Sequence, residues 1–283
     1  MIPIETLVGF VREDAPQGDC TSEAVVPDTP CQAAVRAKSK GLIAGISESE
    51  ALFAYFGVRT ISRAKDGTWV HEGDIVMELD GSAHAILLVE RTALNLIGRM
   101  SGIASATRAA VEAVRAEHPR IRIAGTRKTC PGLRAFDKKA IMLGGGDPHR
   151  SSLSDQILIK DNHLTLVSLT EAIARARAWS AYKKIEVEVE TPEDAVAAAG
   201  AGADIVMLDN MDEDAIREAI DALVNRGLRD RITIELSGGI EPGRLAALAA
   251  LDVDVISMGA LTHTVRNFDV SLELRCSLKT VSL

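Results

Sequence analysis

Five basic side chains stand at or beside the ends of apolar, strand-length runs. They are Arg127 and Lys128 in "GTRKTCPGLRAF", His149 and Arg150 in "GGGDPHR", and Lys160 closing "QILIK", with Arg91 earlier in "ERTALN". A guanidinium grips a carboxylate or phosphate through two parallel bonds, and a lysine adds a compact point charge. Together they suit a small polyanion. An isolated arginine is most often a solvated surface charge, but recurrence at successive strand ends favours a ligand site. Arg134, Lys138 and Lys139 have the spacing of an exposed helix face and are read as surface charge.

The acidic candidates lie in "IEVEVE" and "MLDNM". Within a strand, Glu186, Glu188 and Glu190 share one side while Val187 and Val189 take the other. If that side lines a barrel interior, the carboxylates could hold Mg²⁺ or stabilise a cationic transition state. On a sheet edge they would be ordinary surface charges, and periodicity leaves both readings open. Asp209 closes the next apolar run. "LSGGI" and "SMGALTHT" end the last two runs with Ser237, Gly238, Gly239 and Gly259, small residues whose open amides suit phosphate.

The elements that must position these groups recur from residue 119 onward. Apolar runs at 121–125, 156–160, 185–190, 204–208, 232–236 and 254–258 alternate with helix-like segments such as "SLTEAIARARAWS" and "TPEDAVAAAGAGA", the latter with Thr191 as N-cap and Pro192 at the first helical position. Strand and helix alternation of this kind gives a parallel sheet with crossover helices. Thr126, Arg127, Lys128, Lys160, Asp209 and the Ser-Gly-Gly turn all follow strands, so they mark one shared mouth, as in β/α barrels. Six visible strands make an incomplete barrel. Residues 1–108 read instead as an α+β domain of strands around Gly turns, leading into the barrel by a long helix through "ERTALNLIGRMSGIASATRAAVEAVRA". Residues 271–283 alternate and are expected to rejoin that first domain, leaving 109–270 as the barrel domain.

Composition bounds the function classes. The chain has 283 residues, 47% of them hydrophobic and only 3% aromatic, which supports a large core rich in Ala, Val, Leu and Ile. With 40 acidic against 32 basic residues and a net charge of −8, a nucleic-acid partner is disfavoured. No apolar run reaches the roughly 18 residues of a membrane span, and the N-terminus lacks the basic start and apolar stretch of a secretory signal. A soluble, cytoplasmic protein is expected. Cys20, Cys31, Cys130 and Cys276 are scattered without metal or redox spacing and are read as free thiols.

The stretches "REDAPQGDCTS", "ERTALNLIGRMSGIASATR", "TRKTCPGLRAFDKKAIMLGGGDPHR", "LIKDNH", "IEVEVE", "MLDNM", "LSGGI" and "MGALTH" occur in an order that resembles the quinolinate phosphoribosyltransferase family, and they cover nearly the whole chain. Three positions differ from its usual pattern: Asp147-Pro148 before His149-Arg150, Ser151-Ser152 after it, and Cys130 after "TRKT". The resemblance implies an α/β fold, with an N-terminal α/β sandwich domain and an incomplete, six- or seven-stranded α/β barrel domain. It implies a homodimer or larger assembly with shared active sites, small-molecule substrates, and neither nucleic acid nor membrane as partner. It further implies transfer of phosphoribose from phosphoribosyl pyrophosphate to quinolinate with decarboxylation, using Mg²⁺ and no organic cofactor. By motif, Arg127, His149, Arg150, Lys160 and the partner subunit's Arg91 would meet quinolinate. Lys128, Glu188 and Asp209 would be the catalytic set, with Glu188 and Asp209 as Mg²⁺ ligands. Thr126, Lys128, Glu188, Asp209, Ser237, Gly238, Gly239, Gly259 and His263 would hold the phosphoribosyl donor. Two rivals are a paralogue of the same fold associated with molybdenum transport, and an aldolase-type barrel using Lys160 as a Schiff base.

Overall fold

A computed structural model describes residues 2–275, which divide into two compact units. The first comprises residues up to Ala106, Ala135–Gly144 and the chain from Val265. The second comprises Thr107–Arg134 and Gly145–Thr264. The sequence pattern suggests boundaries at 108 and 270, with 271–283 rejoining the first domain; in the structure the segment 135–144 also belongs to the first unit.

In the first unit, α1 (Ile4–Asp14) and α2 (Cys20–Val25) precede β1 (Pro30–Ala37), β2 (Gly41–Leu42), α3 (Ile46–Tyr55), β3 (Arg59–Arg63), β4 (Trp69–Val70) and β5 (Ile75–Ser82). Helix α2 starts where the Asp19 side chain accepts from the amides of Thr21 and Ser22. The C-terminal strand Val270–Arg275 pairs antiparallel with β1, and the sheet order is C-terminal strand, β1, β5, β3. The expected return of 271–283 is thus met for residues 271–275; residues 276–283 lie outside the described residues, Cys276 among them. Cys20 and Cys130 are free and exposed, as expected. Cys31 departs from that expectation: it is disulfide-bonded.

Helix α4 (Ala83–Glu117) is 35 residues long and carries the chain from the first unit into the second. Helix α5 (Arg134–Gly144) corrects the surface reading of its lysines. Lys138 is buried, and Lys139 is held at 2.7 Å by Glu48 and 3.3 Å by Asp66. Asp137, fully buried, takes both nitrogens of the Arg99 fork at 2.8 Å. Arg134 is half-buried and donates to Thr129 and to the Ser151 carbonyl. Helical spacing alone cannot reveal partners that are remote in sequence.

The second unit alternates as expected: β6 (Arg122–Ala124), β7 (Ile157–Ile159), α6 (Asp161–Leu164), α7 (Leu169–Trp179), β8 (Ile185–Val189), α8 (Pro192–Gly200), β9 (Ile205–Asp209), α9 (Glu213–Asn225), β10 (Thr233–Ser237), α10 (Leu245–Ala249), β11 (Val255–Ser257) and α11 (Ala260–His263). Its strands are parallel in the order β6-β11-β10-β9-β8-β7, so β6 and β7 form the two edges of an incomplete barrel. Continuous apolar runs suit strands buried on both faces, and the core gathers Ile123, Val187, Val206, Leu208, Ile234 and Ile256. Side chains at the strand starts satisfy neighbouring amides: Asp204 accepts from Ile185 at 2.7 Å and Asp254 from Ile234 at 2.8 Å. The Thr191 cap accepts from Asp194, and Pro192 opens α8. No helix is long and apolar enough to cross a membrane among the described residues.

Candidate active site

The C-terminal strand ends of the second unit converge on a cavity of about 400 Å³. Thr126, Arg127 and Lys128 follow β6, Lys160 follows β7, Glu188 lies on β8, Asp209 ends β9, and Ser237, Gly238 and Gly239 follow from β10; all line the cavity with His149 and Arg150. The parallel register explains the convergence, because every crossover returns the chain so that strand ends of the same polarity share one side. The two readings of "IEVEVE" resolve to the interior. Glu188 lines the cavity, Glu186 is wholly buried, and Glu190, past the strand, is exposed.

Gly259 and His263 sit beside this set rather than in its lining. A Cβ on Gly259 would come within 3.1 Å of both Lys128 and His263, so its lack of a side chain leaves room for the lysine stem. The Thr262 hydroxyl donates to the Lys128 carbonyl at 2.9 Å, and the Lys128 amide donates to Thr126 Oγ1 at 3.1 Å. Arg91 lies on α4 within the first unit and is exposed.

Electrostatically the cavity holds three kinds of cation. The buried Nε of Arg127 has no hydrogen-bond partner among the described residues, a donor waiting for an acceptor. Arg150 is buried too, and desolvation followed by repulsion from Arg127 pulls its guanidinium below its ordinary value. Lys160 is ion-paired, its Nζ 2.5 Å from Glu188 Oε2. Asp209 accepts from the Asn210 side chain at 2.7 Å.

His149 stands between Glu186, one of the three carboxylates that periodicity placed on one face, and Glu235, which the sequence reading left without a role. Its Nε2 lies 3.4 Å from Glu186 Oε2 and 3.3 Å from Glu235 Oε2. Burial works against a charged ring, and the two carboxylates outweigh it, raising His149 from 6.5 to about 10. Burial likewise pushes the Glu186 carboxyl up. These three side chains lie near enough to one another to hold a metal ion. Glu235, like Ser237 two residues on, faces the cavity, so the period of two in "ITIELS" contained the signal for it.

The backbone is strained at this site. His149 and Asn210, both in the lining, are the non-glycine residues with positive φ among the described residues, each at 54°. Gly238 and Gly239 follow with φ of 100° and 54°. Successive residues of this kind turn amides toward a common point, a cradle for an anion. The arrangement as a whole can clamp a compact polyanion against cations while presenting carboxylates to positive charge.

Comparison with known proteins agrees with this chemistry. Residues 19–101 match the family model of the quinolinate phosphoribosyl transferase N-terminal domain, and residues 103–273 that of its C-terminal domain. The chain is 45% identical to a probable carboxylating nicotinate-nucleotide pyrophosphorylase of Methanothermobacter thermautotrophicus, covering 94% of this chain and 96% of that one. It is 38% identical to the human carboxylating nicotinate-nucleotide pyrophosphorylase, covering 97% and 93%. Among solved structures, NadC from Streptococcus pyogenes superposes with a TM-score of 0.87 at 39% identity over 96% of this chain and 95% of that chain. The nicotinate-nucleotide pyrophosphorylase of Ehrlichia chaffeensis superposes with a TM-score of 0.90 at 30% identity over 97% and 99%.

Proposed function

The chain belongs to the quinolinate phosphoribosyl transferase family, and from that premise we propose that it transfers phosphoribose from phosphoribosyl pyrophosphate to the ring nitrogen of quinolinate. Pyrophosphate and CO₂ leave, and nicotinate mononucleotide remains. The observation that carries this reading is the convergence of Arg127, His149, Arg150 and Lys160 with Glu188 and Asp209 on one cavity. The name borne by the curated relatives supports it over a molybdenum-associated paralogue and over a Schiff-base barrel.

Four of the cations would meet the two ring carboxylates, with the unpartnered Nε of Arg127 supplying a ready donor. Holding the dianion in line with the sugar turns a bimolecular attack into an effectively unimolecular one. Thr126, Ser237, Gly238, Gly239, Gly259 and His263 would hold the 5-phosphate of the donor, and Lys128 would meet its pyrophosphate. As the glycosidic bond breaks, positive charge grows on the sugar, and Glu188 and Asp209 face it. Loss of the 2-carboxylate as CO₂ then leaves its electron pair on ring carbon 2, stabilised by the adjacent cationic nitrogen, and a proton taken up from water forms the C–H bond of the product.

Glu188 and Asp209 also offer oxygen ligands in the same lining, the donor type that Mg²⁺ takes together with substrate phosphates and water. They would hold the ion, which when bound neutralises charge on the departing pyrophosphate. We place the reaction in the cytoplasm and in a homodimer to which the partner subunit's Arg91 would contribute.

Formation of nicotinate mononucleotide from quinolinate, phosphoribosyl pyrophosphate and Mg²⁺, with nicotinate as the control acceptor, tests the reading. Product without quinolinate dependence, or none at all, would overturn it.

A further inference from the structure

Resting on the transfer proposed above, we infer that Glu186 and Glu235 are positioning residues that hold His149 as an imidazolium presented to the dianionic acceptor. The geometry carries this. Glu186 comes from β8 and Glu235 from β10, both buried, and His149 Nε2 stands 3.4 and 3.3 Å from their carboxylates, within ion-pair distance but with no hydrogen bond to either. Two buried carboxylates facing one point repel each other, and a cation between them offsets that repulsion, whereas a neutral ring leaves it to be relieved by protonation of one carboxyl. The protonated ring is the cation that the cluster itself contains.

Each carboxylate has a second partner, Glu186 on the oxygen nearest the ring and Glu235 on its other oxygen. The Gln156 side-chain amide donates to Glu186 Oε2, and the Ser257 hydroxyl donates to Glu235 Oε1 at 2.5 Å. The backbone fixes the ring from its other end, since the His149 amide donates to Asp147 Oδ1 at 2.8 Å and its φ is 54°. Of the other charged groups around the ring, Asp147 engages only its backbone, and Arg150 adjoins it in sequence, facing Arg127. The raised titration of His149 agrees with the geometry. The chemistry that follows is selective: a histidine that stays charged well above neutrality gives quinolinate a full positive charge where an ordinary imidazole would be neutral.

The sign of one experiment separates this role from a merely structural one. Removing the Glu235 charge by Glu235→Gln deletes a negative group near a dianion, so simple Coulomb attraction would lower the quinolinate KM at every pH. If Glu235 instead helps to hold the proton on His149, the ring in the variant titrates lower than in wild type, with Glu186 still facing it. Quinolinate KM in Glu235→Gln is then equal to or below wild type at about pH 6 and rises at least about tenfold relative to wild type by about pH 9, the worth of a lost charged contact. Ser257→Ala, which removes only the hydroxyl that orients Glu235, gives a smaller rise in the same direction. A Glu235→Gln profile parallel to wild type, or uniformly lowered, overturns the inference. Should Glu235→Gln not fold, a Ser257→Ala profile parallel to wild type overturns it equally.

Nitrogen-15 NMR of the histidine rings in the full chain reads the same proton without turnover. A His149 ring protonated through about pH 9 in wild type, titrating lower in the variants, supports the pairing. A ring that titrates near 6.5 in wild type refutes it. Absence of any product from quinolinate, alongside a protonated ring, would count against the proposed reaction and leave the pairing intact.

Discussion

Lys160 Nζ lies 2.5 Å from Glu188 Oε2, a bond between adjacent strands that joins two groups assigned to different ligands. In the proposed reaction Lys160 would meet a quinolinate carboxylate and Glu188 the cationic sugar, so the pair would part, at least in share, when both substrates bind. Glu188→Gln therefore leaves Lys160 freer for quinolinate and removes the charge facing the transition state. We expect kcat to fall about 10²- to 10³-fold, the scale of a lost preorganised electrostatic contact, with quinolinate KM unchanged or lower. Lys160→Ala should do the reverse and raise quinolinate KM about ten- to a hundredfold. Steady-state kinetics on both variants checks this, and equal losses in kcat and kcat/KM for Lys160→Ala would refute its binding role.

Arg127 separates binding from folding. Its Nε has no partner within the described residues, so Arg127→Ala removes little that the fold uses. Unfolding free energy should stay within about 0.5 kcal/mol of wild type, while quinolinate KM rises ten- to a hundredfold, or about 1.5–3 kcal/mol. Arg127→Lys keeps the charge and loses the planar fork, and should recover only part of the affinity. Denaturant titration beside KM measurement decides; a large loss of stability would show that the guanidinium supports structure.

The barrel strands are legible in the sequence because each is a short apolar or alternating run followed by a polar or glycine residue, and the observed strands fall within one or two residues of the runs. The convergence of the cations on one cavity is legible for the same reason, since strand ends of one polarity must share a face. What periodicity does not supply is the sidedness of "IEVEVE", because a period of two defines a face and not what covers it. Glu186 is thus the buried partner of His149 rather than a third surface carboxylate. Lys138 and Lys139 mislead for a related reason: helix spacing suggests solvent, whereas Glu48 and Asp66, remote in sequence, hold Lys139. The small strands β2 and β4, two residues each, carry too short a pattern to be read at all.

Gly238 is the position where a single methyl group should do most harm. Its φ is 100°, and a Cβ there would stand 2.5 Å from the Asn210 backbone nitrogen. Gly238→Ala must either shift the loop or the strained Asn210, at a cost of at least about 1–3 kcal/mol. Gly239, with φ 54° and nothing within 4 Å of an added methyl, should lose only about 1 kcal/mol on the same change. If these amides hold the donor's phosphate, Gly238→Ala also raises the KM for phosphoribosyl pyrophosphate more than that for quinolinate. Equal rises in both KM values would argue against a phosphate cradle here.

The buried ring of His149 also ties the stability of the fold to pH. Its folded-state value is raised to about 10, above the ordinary 6.5, so the charged form is favoured by folding. That contribution is complete below about pH 6.5 and is lost as pH climbs through about 10. Glu186, also raised, contributes with the same sign. Wild-type unfolding free energy should decline from about pH 7 to about pH 9.5, while His149→Gln starts lower and declines less over that interval. Other groups titrate near the upper limit, so the quantity to follow is the difference between the two proteins, measured by denaturant unfolding at each pH. A difference that stays constant across the interval would mean that the ring is not charged between its two carboxylates.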